Sequence, residues 1–308
     1  MYWIVHGHKR QGDNAMRRTG VRNPLWYIVF TAPLLFIFTT VVLVPFISGI
    51  GYSFFSWDGL PLNPKVFVGI QNFTQLLGDT RFLSAAFRTV IFTVLSVVII
   101  NVLGLAFALA VTTKLTVRNI ARTMLFAPYL IGGLILGYIW KFILGDVLKA
   151  IGESTGLTAI FFNWLLNPQT ALFSLTVVTT WQMAGYIMII YITGIQSIPD
   201  EVIEASLVDG AGFWQTLFCI KFPLIMQAFT VCLFLTLSNC FKVFDVNLSL
   251  TDGGPFGSTE LFAMNIYREI FSLNNYGYGQ TKAFVFFLVV VTITLVQVTI
   301  TKKREVVM

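Results

Sequence analysis

Apolar positions along this chain are gathered into long blocks separated by polar connections. Six blocks are long and apolar enough to cross about 30 Å of hydrocarbon as helices. They run approximately over Leu25–Ile47, Thr89–Val111, Thr123–Ile143, Ala171–Gly194, Pro223–Asp245 and Thr281–Ile300. Pro24, Pro45, Pro199 and Pro223 mark block ends, and Pro128 falls inside the third and is expected to kink it. Three connections look structured. Ser48–Arg88 and Gly145–Thr170 carry Gly, Asn and aromatics; Val246–Gln280 holds the turn signal Asp252-Gly253-Gly254-Pro255 and an amphipathic stretch around Leu261–Phe271. The pattern predicts an all-α polytopic protein with six spans.

Composition agrees. Hydrophobic residues make up 56% of the 308 and charged residues 11%, against about 25% charged in a soluble domain. Too few charges remain to coat a soluble surface, and the mean hydropathy is +0.80. A cytosolic enzyme, a disordered chain and a secreted disulfide scaffold are excluded. Met1–Val5 is too short for the apolar core of a cleavable signal peptide.

The net charge of +6 matters through its distribution. With the N-terminus inside, the segments 1–24, 112–122, 195–222 and 301–308 are cytosolic. They hold Lys9, Arg10, Arg17, Arg18, Arg22, Lys114, Arg118, Arg122, Lys221, Lys302, Lys303 and Arg304, 12 of the 20 basic residues. External connections hold Lys65, Arg81, Lys149, Arg268 and Lys282; Arg88, Lys141 and Lys242 lie in or beside spans. The asymmetry puts both termini in the cytosol. The chain reads as a basic tail (1–24), a membrane domain (25–303) and a short cytosolic end (304–308).

Chemistry-bearing motifs are few. Cys219, Cys232 and Cys240 form no CxxC pair and read as small apolar packing residues. His6 and His8 read as solvated tail. Gly152-Glu153-Ser154-Thr155-Gly156 matches the serine nucleophile elbow, but that motif needs a strand-to-helix turn and a histidine base, and the two histidines fall on the other side of the membrane. No phosphate-binding loop and no H-E-x-x-H occurs, so no cofactor, metal site or nucleotide hydrolysis is expected of this chain.

One cytosolic segment breaks the charge rule. Residues 195–222 carry Asp200, Glu201, Glu204 and Asp209 against Lys221 alone. Ser197 is placed to cap a helix, Pro199 suits its first turn, and the acids crowd the end that the helix dipole favours. Gly210 and Gly212 then break the helix, and a second short one over Phe213–Ile220 leads to Pro223. With Ala205, Ser206 and Ala211 small, this reads either as an acidic docking element for a basic groove on a soluble partner or as an ordinary solvated loop.

The same residues carry a resemblance. Glu204-Ala205-Ser206-x-x-Asp209-Gly210-Ala211, followed by Ile220-x-x-Pro223, resembles the EAA loop of bacterial ABC importer permeases, with Ser206 in place of the second alanine. Ser53-Phe54-Phe55-Ser56-Trp57-Asp58-Gly59, Phe67-Val68-Gly69-Ile70-Gln71-Asn72-Phe73, Gln196-Ser197-Ile198-Pro199, Val243-Phe244-Asp245 and Thr251-Asp252-Gly253-Gly254-Pro255 are similar to the sugar-permease branch, the maltose and glycerol-phosphate type. The resemblance spans about residues 25–303 and fits a minimal six-helix form, without the extra N-terminal helices and large periplasmic insertion of the maltose-type subunit. It implies coupling helices that insert into a cleft on a separate ATPase, with Glu204 pairing a basic side chain there, Gly210 making a turn that a side chain would obstruct, and Asp209 bracing it. It implies four kinds of partner: a second homologous permease subunit, two ATPase subunits, an extracytoplasmic solute-binding protein and membrane lipid, in a bacterial cytoplasmic membrane.

Polar residues inside spans are costly and tend to face a cavity. Tyr129, Thr179, Thr180, Gln182, Tyr186, Thr236, Asn239, Lys242 and Asp245 are candidates. Lys242 and Asp245, three apart on a helix, would neutralise each other or form an ion pair at the external interface. The resemblance implies a substrate path through Tyr129 and Gly133 of the third span, Thr179, Gln182, Met183 and Tyr186 of the fourth, and Thr236, Cys240 and Val243 of the fifth. Thr179, Cys240 and Val243 stand where the maltose-type relative carries amides, which argues against the same sugar. The expected function is a permease subunit moving a sugar or oligosaccharide by alternating access. The alternatives are a permease for a polyol, glycerol phosphate or other non-sugar solute, and an ion-driven secondary transporter.

Overall fold

The computed structural model describes residues 24–113 and 117–305. The basic tail, His6, His8 and Lys114 lie outside the described residues. Contacts divide the chain into a unit ending at Gly51 and one beginning at Tyr52.

The first unit holds the helix α1, Tyr27–Tyr52, up to its last residue, with mean hydropathy 2.4. At about 1.5 Å per residue its 26 residues reach about 39 Å. Pro45 was expected to mark its end and instead lies inside it. A wider turn over Thr39–Leu43 takes up the missing N–H and the ring of Pro45. The Thr40 hydroxyl donates back to the Phe36 carbonyl at 2.8 Å, as a hydroxyl inside hydrocarbon must.

The second unit opens with a small antiparallel ribbon, β1 Phe55–Ser56 against β2 Val66–Phe67, the one departure from all-α among the described residues. A short α2, Gln71–Leu77, follows. Then come α3 (Thr80–Thr112), the bent pair α4 (Arg118–Leu130) and α5 (Gly133–Thr155), α6 (Pro168–Gln196), the short α7 (Asp200–Val208), the bent pair α8 (Phe213–Leu224) and α9 (Met226–Phe241), α10 (Asp245–Leu250), α11 (Phe262–Phe271) and α12 (Tyr276–Lys302). With α1, four helices are long and apolar enough to span singly, and six spans result when each bent pair counts as one.

Three expectations change. α3 begins nine residues before Thr89, because the Asp79 carboxylate accepts the Phe82 N–H at 2.9 Å and caps a helix that extends beyond the apolar block. The third block is broken by 99° between Leu130 and Gly133, past Pro128 itself. The fifth is bent by 74° at Ile225, ends at Phe241, and resumes only at Asp245. Lys242 and Asp245 are therefore not on one helix, and they form no ion pair. By contrast, the amphipathic stretch near Leu261 is the helix α11, as expected.

Apolar burial drives little association between helices already in lipid, so close packing and interhelical hydrogen bonds must hold them. α3 and α6 pack along one another, and α9 lies against both. Gly104 of α3 admits Ile187 of α6: a Cβ there would sit 2.8 Å from Ile187 Cγ2. Gly185 admits the Leu125 carbonyl in the same way. Between the three helices the buried Tyr191 hydroxyl donates to Asn101 Oδ1 at 2.8 Å, and Asn101 Nδ2 donates to Thr236 Oγ1 at 3.0 Å. Bonds of this kind average about 0.6 kcal/mol each in membranes, so they fix register more than they stabilise.

A second polar cluster holds the ends of α3, α11 and α12 together. Lys282 was expected to be an external base; it is wholly buried, with Nζ 2.8 Å from Asp79 Oδ2 and 2.7 Å from Glu269 Oε2. Asn265 donates to Glu260 at 2.7 Å, and Glu260 accepts from both Arg81 and Arg268. Burial pushes the Asp79 carboxyl up, but hydrogen bonds from Lys282, the Phe82 N–H and the Tyr278 hydroxyl outweigh it and hold Asp79 below the usual carboxylate range.

Candidate functional site

Two places bring the expected site residues together. The first is the loop between α6 and α9. α7 carries Asp200 and Glu201 in its first turn, where the dipole favours them. Ser197 does not cap it: its hydroxyl turns back to the Gly194 carbonyl at 2.8 Å and finishes α6. Pro199 stands at the cap position without a side-chain bond. At the other end, the Gly210 N–H reaches the Leu207 carbonyl at 3.1 Å and the Ala211 N–H reaches the Ser206 carbonyl at 3.0 Å. This is the paired closing bond of a Schellman turn, with Gly210 at φ +77°. A Cβ at Gly210 would meet nothing within 4 Å, so the position needs glycine for its backbone angle rather than for space.

Ser206 is buried, its hydroxyl on the Ile203 carbonyl at 2.7 Å, which explains why only a small residue fits there. Asp209 ends α7, with its N–H on the Ala205 carbonyl. Ala211 and Gly212 lead into α8, where the Gln215 side chain accepts the Gly212 N–H at 3.0 Å. Glu204 and Ala205 are exposed, and Glu204 makes no ion pair among the described residues. Around them Leu207, Val208, Phe213 and Trp214 are also exposed, Val208 by 87%. The loop thus offers exposed carboxylates, Glu204 among them beside apolar side chains, on a backbone that satisfies itself.

The second place is a cavity of about 240 Å³ where both helix breaks meet. Tyr129, Gly133, Thr179, Gln182, Met183 and Val243 line it, as the sequence led us to expect, together with Asn239, Lys242 and Asp245. The break between α4 and α5 frees the Ile131 carbonyl, and Gln182 Nε2 donates to it at 3.0 Å. Tyr186 stands behind Tyr129, the rings stacked 4.4 Å apart and 7° from parallel. Gly133 lets α5 approach α10: a Cβ there would lie 2.9 Å from that of Asp245. Two expected residues face elsewhere. Thr236 belongs to the Asn101–Tyr191 bonds, and Cys240 is fully buried in the apolar core. Thr180 lines a different, apolar cavity on the other side of α6. Lys242 and Asp245 are exposed at the cavity, one of each sign. The Gly152–Gly156 motif is the end of α5, not a strand-to-helix turn, and the Ser154 hydroxyl is bonded to the Ile151 carbonyl.

A family described as binding-protein-dependent transport system inner membrane component matches residues 100–304. The chain belongs to this family. It is a permease subunit of an ABC importer, a transport component rather than a catalytic enzyme, and it carries a solute across the membrane while a partner hydrolyses ATP. Among its relatives is the "Probable starch degradation products transport system permease protein AmyD" of Thermoanaerobacterium thermosulfurigenes, 48% identical over 92% of this chain and 97% of that one. Another is the "Multiple sugar-binding transport system permease protein MsmF" of Streptococcus mutans, 30% identical over 93% and 98%. A crystal structure of a bacterial ABC transporter involved in import of the acidic polysaccharide alginate has the same fold, with TM-score 0.78 and 20% identity over 91% of this permease and 96% of that chain.

Reasoning from the sequence missed the buried cluster of the permease around Lys282. The signals were present: a lone lysine two positions into an apolar block, an aspartate one residue before a helix start, and a glutamate on the amphipathic α11.

Proposed function

We propose that this permease moves a sugar or oligosaccharide, and that the cavity between the two broken helices is its path through this subunit. The observation that carries the reading is the arrangement at the break. Tyr129, stacked on Tyr186, offers an aromatic face, and Gln182 and Thr179 stand beside it. A pyranose presents C–H surface and hydroxyls to match. Relatives named for starch degradation products and for multiple sugars support the substrate class. Lys242 at the same cavity favours a second reading, an anionic solute such as a glycerol phosphate, but Asp245 beside it offsets that charge.

The driving step is alternating access, coupled through α7, Gly210 and α8. Glu204 pairs with a basic group of the ATPase, while Ala205, Asp209 and Ala211 shape the turn. The whole importer pairs this subunit with a second homologous permease, two ATPase subunits and an extracytoplasmic solute-binding protein. It lies in a bacterial cytoplasmic membrane, with both termini of this chain cytosolic.

The test is uptake of labelled saccharides by cells carrying the intact importer. Gln182→Ala and Tyr129→Ala should each lower uptake at least tenfold with the permease still in the membrane. Unchanged uptake in both would remove the cavity from the path, and uptake of glycerol phosphate but no saccharide would replace the substrate class.

A further inference from the structure

A larger cavity, of about 440 Å³, lies away from the helix breaks. It is formed by the segment leading into α3 and by the start of α12, with Ser56, Trp57, Asp58, Gln75, Asn274 and Tyr278 among its walls. Its size is within the range of about 300–1,000 Å³ usual for small-molecule sites. Span parity fixes its side. α3 starts here and α12 starts here, whereas the α7 loop follows the far end of α6, so the cavity opens on the face opposite the α7 loop.

The walls divide into two kinds of surface. Trp57 Nε1 donates to the Leu60 carbonyl at 2.9 Å, and the Tyr278 hydroxyl donates to Asp79 Oδ2 at 2.9 Å. Both polar tips are committed, and each ring already carries a cation, Lys65 Nζ at 4.4 Å from the centre of Trp57 and Lys282 Nζ at 4.7 Å from that of Tyr278. Gln75 and Asn274 are exposed and make no side-chain hydrogen bond, so both amides are free to donate and accept. Asp58 is held below the usual carboxylate range by the Leu60 N–H and the Asn63 side chain, and stays an acceptor at any physiological pH. The framework is already built: Asn72 Nδ2 donates to the Ser53 and Phe55 carbonyls, and the Gly277 N–H to the Trp57 carbonyl. Little ordering cost remains for a ligand to meet.

No lysine or arginine lines this cavity, and its one charge is negative. Lys65 is not among the lining residues, but its Nζ rests 4.4 Å from the centre of the ring of the wall residue Trp57 and is also over Tyr52. An anionic ligand would face Asp58, with Lys65, already engaged by Tyr52 and Trp57, as the nearest cation. Free amides and an acceptor carboxylate together suit a neutral polyhydroxylated ring.

We infer that this cavity is a second saccharide subsite, on the external face of the permease, selective for neutral sugars and engaged by oligosaccharides long enough to reach it. It rests on the proposed sugar reading for its role in uptake, but not for its binding.

The test uses full-length permease in lipid nanodiscs, with maltohexaose and an oligogalacturonate of equal length as probes and saturation-transfer NMR as readout. Gln75→Ala combined with Asn274→Gly removes both free amides. Asn274 already has φ +53°, which glycine accommodates, and neither side chain supports the fold. The double variant should weaken maltohexaose binding at least fivefold, Gln182→Ala should leave that site occupied, and the oligogalacturonate should not bind. Absent maltohexaose binding, equal binding of the acidic chain, or an unaffected double variant overturns the proposal. In cells with the intact importer, the double variant should lower maltohexaose uptake and spare maltose. Equal loss of both marks the cavity as a contact for the solute-binding protein instead and also overturns it. If wild-type cells take up neither sugar while the binding result holds, it is the transport reading that fails.

Discussion

The two ends of the membrane domain treat charge in opposite ways. At the end where α3 and α12 begin, Lys282 and Glu269 are buried and Asp79 half-buried, with both carboxylates on the lysine at 2.7–2.8 Å. At the α7 end, Glu204 stands exposed among apolar side chains with no ion-pair partner among the described residues, on a helix whose end is closed by its own backbone bonds. Buried charges that satisfy one another position three helices and leave nothing to offer. An exposed charge on a self-sufficient turn positions nothing within the chain and is free for another protein. The Lys282 cluster is built for rigidity, the α7 loop for contact.

The sharpest way to break that contrast is to remove the buried cation. Lys282→Met removes the cation that Asp79 and Glu269 share and leaves the buried Glu269 carboxylate without it. Breaking one partner of a buried pair costs about 3–5 kcal/mol. The variant should lose most of its thermal stability in detergent, followed by size-exclusion after heating. The triple change Asp79→Asn, Glu269→Gln, Lys282→Met should recover much of it, because the penalty lies in the uncompensated charge. Full stability of the single variant would refute the assignment of this cluster.

At the other end, substitutions should spare the fold. Gly210→Ala forces a Cβ into left-handed backbone, at about 1–2 kcal/mol, with no neighbour to clash against. Gly210→Asn should cost less, since asparagine tolerates that region. Glu204→Ala removes no internal contact and should leave thermal stability within about 0.5 kcal/mol. On the proposed docking, Glu204→Ala should still cut ATP-driven uptake severalfold. Uptake at the wild-type level with the ATPase still bound would leave Glu204 a solvated surface acid.

What the sequence revealed follows the same division. Apolar blocks report span number and order well, because each residue adds its own transfer cost. The α7 loop was legible because Gly210, Ser206 and the acids act locally, within one helical turn, although Ser197 proved to serve α6. The helix breaks were not legible. Pro128 pointed near the first, but the bend falls at Ile131 and Gly132, where Gln182 from another helix accepts the cost of a freed carbonyl. The fifth block reads as one apolar run, yet the helix stops at Phe241 and hands Lys242 and Asp245 to the cavity. Thr236 and Cys240 were assigned to the path by position along a helix, and only the rotation of α9 shows that they face the core. The Lys282 cluster joins residues about 200 positions apart, beyond any local pattern.

The smallest expected effect separates the two ends by pH. Asp79 is depressed in the folded protein relative to the unfolded value of about 3.9. A depressed carboxylate contributes stability above the unfolded pKa and loses it as pH falls through the folded one. Thermal stability should therefore decline as pH is lowered from 5 toward 3, where the unfolded chain binds the proton first. Asp79→Asn should flatten that part of the decline, at the cost of lower stability near pH 7. Glu204→Ala removes no contact of this cluster and serves as the control. If it shifts the acid limb as much as Asp79→Asn does, the division between a charge-locked end and a charge-offering end does not hold.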